Sequence, residues 1–419
     1  MRTFFVLVLA AAALLAQSLP TASPESLGLS AERLERISAV VQKAIEEKKI
    51  AGAVTLIARK GKVGYLKAQG QMDREAGKPM SADALFRICS MTKPITSAAV
   101  MMLYEEGRFL LSDPVSKYLP EFKNPKVLMK GPGGAHYTVP ANREITIKHL
   151  LTHTSGISYH WHADLGRYYK DANVAHGILP YEGTIAESVK ALAAQPLLFH
   201  PGERYEYGLN IDVLGRLVEV VGGMPLDQFF AKRIFEPLGM KDTFFYVPPD
   251  KMARLAAAYV FQDGRGLERF PEKAIVEGNF SYTADYVHAA PRKLFAGGAG
   301  LVSTAMDYAL FCQTMLNGGT LNGKRLLSRK TVELMTVDHL GAVAPNFGFG
   351  LGFGVAGTKG PPGEAGTPGQ YNWGGFFYTT FFVDPKEQLI LVFMGQLHPT
   401  GGLTLDRTVA AMANQAIVD

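Results

Sequence analysis

Ser90 and Lys93 stand three residues apart in the segment FRICSMTKP (residues 86–94). An extended stretch is predicted to turn into a helix here, and residues three apart share one face of a helix. The start of a helix favours negative charge, so a lysine there is more easily left as a neutral amine. A neutral amine beside a hydroxyl is a base beside a nucleophile. The spacing therefore favours nucleophilic catalysis, and the alternative is an N-cap serine followed by a solvated lysine.

Two further segments carry groups that could assist such a nucleophile. Tyr207 lies in PGERYEYGLN (residues 201–210), just before a predicted helix. A tyrosine near a lysine amine can act as a base or a proton relay, although ordinary packing is the alternative interpretation. The segment YNWGGF (residues 371–376) is predicted to be a strand with glycines, which usually mark a close backbone approach. Its bare amide groups could form half of an oxyanion hole.

Three other motifs indicate no second chemistry. His160 and His162 could lie on one face as metal ligands, but no third ligand follows at a suitable spacing, so pocket-lining aromatics are preferred. The spacing of Gly352, Gly354 and Gly357 matches a dinucleotide-binding fingerprint, but a Pro-Gly loop follows it where a helix is required. No Gly-x-Ser-x-Gly occurs, which argues against an α/β-hydrolase esterase. We therefore expect neither a metal nor an organic cofactor.

Length and charge limit the remaining classes of function. The chain has 419 residues, which favours two domains. The net charge is 43 − 38 = +5, and no basic run is interleaved with aromatic residues, so nucleic acid is not expected as a partner. Cys89 and Cys312 are expected to be buried free thiols. Nothing in the sequence indicates the oligomeric state.

Residues 1–18 have the features of a signal peptide. Arg2 supplies the positive region, residues 4–15 form an apolar run too short to span a bilayer comfortably, and residues 16–18 form a small-x-small cleavage site. The mature chain would begin at Leu19 and be exported, to the periplasm or the medium. An uncleaved membrane anchor is the alternative. No later segment is long and apolar enough to cross a membrane.

The order of predicted elements describes an α/β (α+β) sandwich interrupted by a second domain. The sandwich would comprise residues 19–106 and 293–419, and a mostly helical domain would comprise residues 107–292, with long loops at 130–140 and 156–180. The predicted sandwich elements are a helix over 31–48, a hairpin over 51–58 and 62–68, a helix from Ser90 to Gly107, a helix over 303–316, strands over 347–355, 376–383 and 388–394, and a helix over 405–418.

The segments around Ser90, Tyr207 and Trp373 occur in the order and at the approximate spacing found in the serine β-lactamase-like hydrolases. The chain most resembles the family VIII carboxylesterases, which are similar to class C β-lactamases and D-Ala-D-Ala peptidases. Supporting phrases are LLTHTSG (150–156), PGE (201–203) and GGAGL (297–301). The resemblance extends from Leu29 to the C-terminus and implies an antiparallel sheet flanked by helices.

The resemblance implies a role for each matching residue. Ser90 would be the acylated nucleophile, and Lys93 would help to deprotonate it. Tyr207 would be the general base and proton shuttle. The backbone N–H groups of Ser90 and Phe376 would form the oxyanion hole. No metal or organic cofactor is implied.

Two departures from the family pattern concern the substrate. Leu209 stands where the lactamases carry an asparagine, and Trp373 stands where they carry a lysine that would receive a carboxylate. Together with Gly374 and Gly375, these residues are expected to bind substrate and to favour small, neutral esters. Arg292 or Lys359 could still supply a cation.

The alternatives are a β-lactamase or D-amino peptidase with the same three catalytic residues, and a β-lactam or cell-wall sensor. Such a sensor would be acylated without turnover.

Overall fold

The structure is a computed structural model that describes residues 18–262, 264–357 and 365–419. All but the last residue of the predicted leader lies outside the described residues, and so does Lys359. In the described part of the chain, no helix has both the length and the apolar character needed to cross a bilayer.

Eleven α-helices occur among the described residues. They are α1 (Ala31–Glu46), α2 (Thr92–Glu105), α3 (Ile147–Leu151), α4 (Gly166–Asp171), α5 (Ile185–Ala193), α6 (Asn210–Gly222), α7 (Leu226–Phe230), α8 (Glu236–Leu238), α9 (Ala305–Leu316), α10 (Arg329–Met335) and α11 (Leu405–Gln415).

The strands of the described residues form one large sheet and five two-stranded pairs. The strands are β1 (Gly52–Arg59), β2 (Lys62–Asp73), β3 (Lys78–Pro79), β4 (Phe86–Arg87), β5 (Lys126–Lys130), β6 (His136–Pro140), β7 (Tyr259–Gln262), β8 (Gly266–Arg269), β9 (Ile275–Glu277), β10 (Phe280–Tyr282), β11 (Val302–Ser303), β12 (Thr320–Leu321), β13 (Lys324–Arg325), β14 (Gly348–Phe349), β15 (Gly354–Val355), β16 (Tyr371–Gly375), β17 (Thr379–Asp384) and β18 (Leu389–Met394).

The large sheet is antiparallel, with the order β14-β15-β16-β17-β18-β1-β2-β3. It joins strands from the two ends of the chain, because β1 pairs with β18 and places Leu56 opposite Val392. β1 is buried along its whole length. Successive side chains of a strand point to opposite faces, so Leu56 enters the core shared with α2 and α9, while Ile57 enters the core shared with α1 and α11. This confirms the predicted sandwich of helices on both faces of an antiparallel sheet.

α2 is the central helix of the larger core. Its residues from Thr92 to Leu103 are all buried, as expected for a helix that is apolar over most of its surface. It packs on α6 of the inserted region as well as on the sandwich. Side chains at the start of α2 are therefore held on a rigid element.

The inserted region contains α3 to α8, but it also contains three short hairpins. The predicted loop over 130–140 is wrong, because β5 and β6 pair there from Lys126↔Pro140 to Lys130↔His136. The two other pairs are β7–β8 and β9–β10. Their strands have three or four residues each, too few for a two-residue period to be recognised. The domain boundaries at 106 and 292 stay a prediction.

The single strand predicted over 347–355 is also wrong. The chain forms β14 and β15, which pair with each other as a hairpin. Gly352 adopts φ +92° between them, a conformation that favours glycine. A side chain at this position would also collide with the Ser97 hydroxyl, which lies 2.2 Å from an ideal Cβ.

Candidate active site

Ser90 lies in a 3₁₀ turn, Cys89–Met91, between β4 and α2. The extended-to-helical transition predicted here is confirmed. Cys89 adopts φ +42°, which is an uncommon, strained conformation for a residue with a side chain. Its thiol is buried, and burial raises the pKa of Cys89 to about 11, so it stays protonated beside the nucleophile. Ser90 remains partly exposed, and Met91, not Ser90, occupies the N-cap position of α2.

Lys93 has no exposed surface. Its Nζ donates to the hydroxyl of Ser90 at 3.1 Å and to the hydroxyl of Tyr159 at 3.0 Å. A third hydrogen bond reaches the carbonyl oxygen of Gly298 at 2.7 Å. An ammonium has three N–H donors, and each has a neutral acceptor. The alternative of a solvated lysine is therefore excluded by the structure.

Tyr207 completes the contacts of the serine. Its hydroxyl donates to Ser90 Oγ at 2.7 Å, and the centre of its ring lies 4.7 Å from Lys93 Nζ. Ser90 Oγ thus accepts hydrogen bonds from two donors on different elements. Before Ser90 can give up its proton, one of those donors must become an acceptor. The two atoms that can do so are the amine of Lys93 and the phenol oxygen of Tyr207.

His153 holds the Tyr207 segment in place. Its Nδ1 lies 3.3 Å from the amide of Gly208 and 2.9 Å from Nδ2 of Asn210, and its ring packs at 4.9 Å from that of Tyr207. Burial lowers the pKa of His153 well below its usual range, so the ring is neutral and can accept these bonds. An ideal Cβ at Gly208 would lie 2.3 Å from the carbonyl oxygen of Ile157. Glycine is therefore needed where the two loops meet.

Asp212 is buried and is connected to Lys93 through Gly298. Its Oδ1 accepts the N–H of Gly298 at 3.1 Å, and the carbonyl of the same glycine accepts from Lys93. Burial raises the pKa of Asp212 to about 6, and the charge of Lys93 opposes that rise. Among the described residues, Oδ2 of Asp212 has no hydrogen-bond partner. Gly298 thus connects the lysine to a buried carboxylate.

β16 brings the glycine segment against the turn that holds Ser90. An ideal Cβ at Gly375 would lie 2.4 Å from the carbonyl oxygen of Ile88, so only glycine permits this approach. Gly374 is less crowded, with its nearest atom at 3.4 Å. The ring of Trp373 lies 5.4 Å from that of Tyr207 and 5.2 Å from that of Phe349. The structure therefore brings Trp373, Gly374, Gly375 and the adjoining Phe376 to the Ser90 region.

Leu209 is not brought to the site with them. It has no exposed surface and belongs to the hydrophobic core at the start of α6. The substrate-binding role predicted for Leu209 is therefore wrong, because a side chain that solvent cannot reach offers no surface to a ligand. The adjacent Asn210 is buried too, and it bonds to Ser155 and His153.

Sequence reasoning missed Tyr159 and Asp212. Tyr159 follows the phrase LLTHTSG by three positions, and Asp212 follows Tyr207 by five. Neither position fits a short motif. The available signal was a tyrosine just after a glycine loop and an acid in the first turn of a helix.

The side chains of His160 and His162 do not meet at a common point. His160 is buried and bonds to the carbonyl of Val174 at 2.9 Å. His162 instead accepts the backbone N–H of Asp164 at 3.2 Å. Across the described ranges, no group of three metal-ligating side chains occurs.

The chain belongs to the Beta-lactamase family, whose model matches residues 37–415. It is similar to Esterase EstB of Burkholderia gladioli, with 34% identity over 86% of this chain and 90% of the esterase. It is also similar to the solved structure of EstCE1, "a hydrolase with promiscuous acyltransferase activity", with a TM-score of 0.79, 30% identity and coverage of 93% and 99% of the two chains. A putative D-alanyl-D-alanine carboxypeptidase of Salmonella agona is 27% identical over 90% of this chain and 85% of its own length.

Proposed function

We propose that the protein is a serine carboxylesterase that hydrolyses small, mainly neutral esters through an acyl-enzyme on Ser90. The observation that carries the proposal is the pair of hydrogen bonds to Ser90 Oγ, from Lys93 Nζ at 3.1 Å and from Tyr207 at 2.7 Å. A hydroxyl held by two groups that can take its proton is an activated nucleophile. The similarity to an esterase and to a hydrolase with acyltransferase activity supports the same class of reaction.

In the acylation step, Ser90 Oγ forms a bond to the ester carbonyl carbon and its proton passes to the pair formed by Lys93 and Tyr207. The negative charge moves to the carbonyl oxygen. We assign the N–H groups of Ser90 and Phe376 as donors to that oxygen, since Gly375 places this strand end against the turn. One such donor is typically worth about 3–4 kcal/mol. When the C–O bond breaks, the proton is transferred to the leaving alkoxide.

Deacylation reverses these roles. Water gives its proton to the same pair as its oxygen attacks the acyl carbon, and Ser90 Oγ recovers a proton as it leaves. The acid is released and the original contacts of Lys93 and Tyr207 are restored. No step requires a metal or an organic cofactor.

The preference for neutral esters is argued from Trp373. Its ring is uncharged, and it occupies the position where a lysine would receive the carboxylate of a β-lactam or a peptide terminus. Arg292, the loop cation considered above, donates its Nε to the carbonyl of His288 at 2.9 Å and is exposed. These observations favour an esterase over a β-lactamase or a D-amino peptidase.

One experiment separates the esterase from its rivals. The protein is assayed with p-nitrophenyl esters of increasing acyl length and with a chromogenic cephalosporin, beside Ser90→Ala and the matched control Ser26→Ala, an exposed serine. We expect the parent protein to turn over esters many times, Ser26→Ala to keep this activity and Ser90→Ala to lose it. Ester hydrolysis that survives Ser90→Ala would refute the mechanism. Faster cephalosporin turnover would favour the lactamase, and a burst without turnover would favour the sensor.

We also propose that the protein is exported, which rests on the features of residues 1–18 alone. Expression in a bacterial host and N-terminal sequencing of the periplasmic product tests this. A mature chain that begins at Leu19 is expected, and an intact N-terminus on a membrane-bound product would indicate the uncleaved anchor.

A further inference from the structure

A row of aromatic rings runs beside the Ser90 region. Trp161 stacks on Tyr159, with ring centres 4.1 Å apart and planes at 27°. It also meets the edge of Phe280 at 5.0 Å, and Phe280 contacts Phe376 at 5.9 Å. Because the hydroxyl of Tyr159 accepts a bond from Lys93, the row connects the basic side of the site with the proposed oxyanion donor.

Trp161 differs from its neighbours in exposure. It is 49% exposed, whereas Tyr159 is 4% and Phe280 is 3% exposed. A single exposed aromatic residue is ordinary on a protein surface. Trp161, however, is held by two ring contacts while about half of it stays open. A rigid aromatic ring loses little conformational entropy when a ligand covers it, so this arrangement is suited to binding.

Two histidines that support Trp161 are uncharged. His160 anchors the loop through the carbonyl of Val174, and His176 packs at 4.9 Å from His160 and 4.7 Å from Phe280. Burial lowers the pKa of His160 to about 4 and that of His176 to about 3. Both rings are therefore neutral at ordinary pH. A charged group placed over Trp161 would lose water without gaining an opposite charge from these two histidines.

We propose that the open part of Trp161 is a binding surface for a planar, uncharged aryl group of the substrate. This proposal rests on the esterase function given above and adds a substrate class to it. An aryl group can stack on an indole, and aromatic pairs gain more than their buried area provides. A saturated ring of similar size buries comparable area but cannot stack flat. The preference for the flat ring is therefore the property that Trp161 should confer.

The test uses two matched pairs of esters. Benzyl acetate and cyclohexylmethyl acetate place the ring in the alcohol, whereas ethyl phenylacetate and ethyl cyclohexylacetate place it in the acyl group. We expect the ratio of kcat/KM, aryl over saturated, to be about two- to tenfold in one pair, and that pair identifies the side. Trp161→Leu should bring the ratio to near one, and Trp161→Phe should keep part of it. The control Tyr137→Leu, at an exposed tyrosine of β6, should leave the ratio unchanged.

Three outcomes would overturn the proposal: no aryl preference in the parent protein, an unchanged preference in Trp161→Leu, or an equal loss for all four esters. The last would mean that Trp161 only supports the fold. Binding is followed separately by titrating benzyl acetate into Ser90→Ala and into the Ser90→Ala, Trp161→Leu double variant. If benzyl acetate quenches the fluorescence of Ser90→Ala and not that of the double variant while the parent shows no esterase activity, this result would reject the proposed function but keep the binding surface.

Discussion

Replacing Tyr159 with phenylalanine removes one hydroxyl from the innermost part of the site. That hydroxyl lies 3.0 Å from Nζ of Lys93, which has no exposed surface. Burial raises the pKa of Tyr159 well above its usual range, so the neutral phenol can only accept from the ammonium. Without it, one of the three N–H groups of Lys93 is left buried without an acceptor. Such a loss typically costs about 1–3 kcal/mol.

The hydroxyl of Tyr159 also helps to hold Nζ of Lys93 at 3.1 Å from Ser90 Oγ, the contact that the proposed proton transfer uses. Because about 1.4 kcal/mol corresponds to a factor of ten in rate, kcat/KM should fall about 5- to 150-fold in Tyr159→Phe. The same loss should lower the free energy of unfolding by about 1–3 kcal/mol at neutral pH.

The assay is kcat/KM for ethyl butyrate at neutral pH, with urea unfolding measured in parallel. Tyr246→Phe is the control, because the hydroxyl of Tyr246 bonds to the backbone of Leu294 at 2.8 Å and 3.1 Å, away from Lys93. It should lose stability without losing kcat/KM. A value of kcat/KM in Tyr159→Phe that equals the parent's would refute the reasoning.

Three further predictions concern other parts of the molecule. Burial raises the pKa of Asp307 to about 6, above its ordinary 3.8, so its charge destabilises the fold increasingly as pH rises from 4 to 6. Across this window, the free energy of unfolding of Asp307→Asn, measured in urea, should rise relative to that of the parent by up to about 3 kcal/mol. A difference that does not depend on pH would contradict this prediction. Gly375→Ala places a methyl group 2.4 Å from the carbonyl oxygen of Ile88, and it should lower kcat at least about 100-fold because it displaces the oxyanion donor. Gly374→Ala, whose added methyl group has its nearest atom at 3.4 Å, should lower kcat much less. Equal decreases in kcat would count against the assignment of Phe376 as a donor. Trp373→Lys should raise the ratio of cephalosporin turnover to ester turnover, and Trp373→Phe should not. An unchanged ratio in Trp373→Lys would remove the argument for neutral substrates.

Much of the sandwich could be predicted because its signals are local. The helix that begins at Ala31 has a serine cap that accepts from Arg33, and the hairpin of β1 and β2 turns at Lys60 and Gly61, both with positive φ. Such patterns fall within a few residues of one another. The short hairpins of the inserted region were missed for the opposite reason, since a strand of three to five residues is stabilised by its tertiary neighbours and carries little period of its own.

The candidate site shows the same difference between local contacts, which can be predicted, and long-range contacts, which cannot. Ser90 and Lys93 are neighbours on one helical turn, so their contact follows from the chain itself. The other partners of Lys93 are 66 and 205 residues away along the chain, at Tyr159 and Gly298. No spacing rule reaches that far in a single sequence, and family resemblance supplied only the residues that match a motif. Tyr159 fell outside every motif, although it makes as direct a contact with Lys93 as Ser90 does.

The position of Leu209 shows why a motif match can mislead about substrate. The family pattern places a polar side chain two residues after the tyrosine, and Leu209 was expected to replace it in the cleft. In the structure, that position is the N-cap of α6, with its side chain in the core. The group that reaches Lys93 from the neighbouring loop is the hydroxyl of Tyr159, which carries the stacked Trp161 with it. Substrate preference is therefore better sought in the loop at residues 159–161 and in Trp373 than in the residue that the motif indicates.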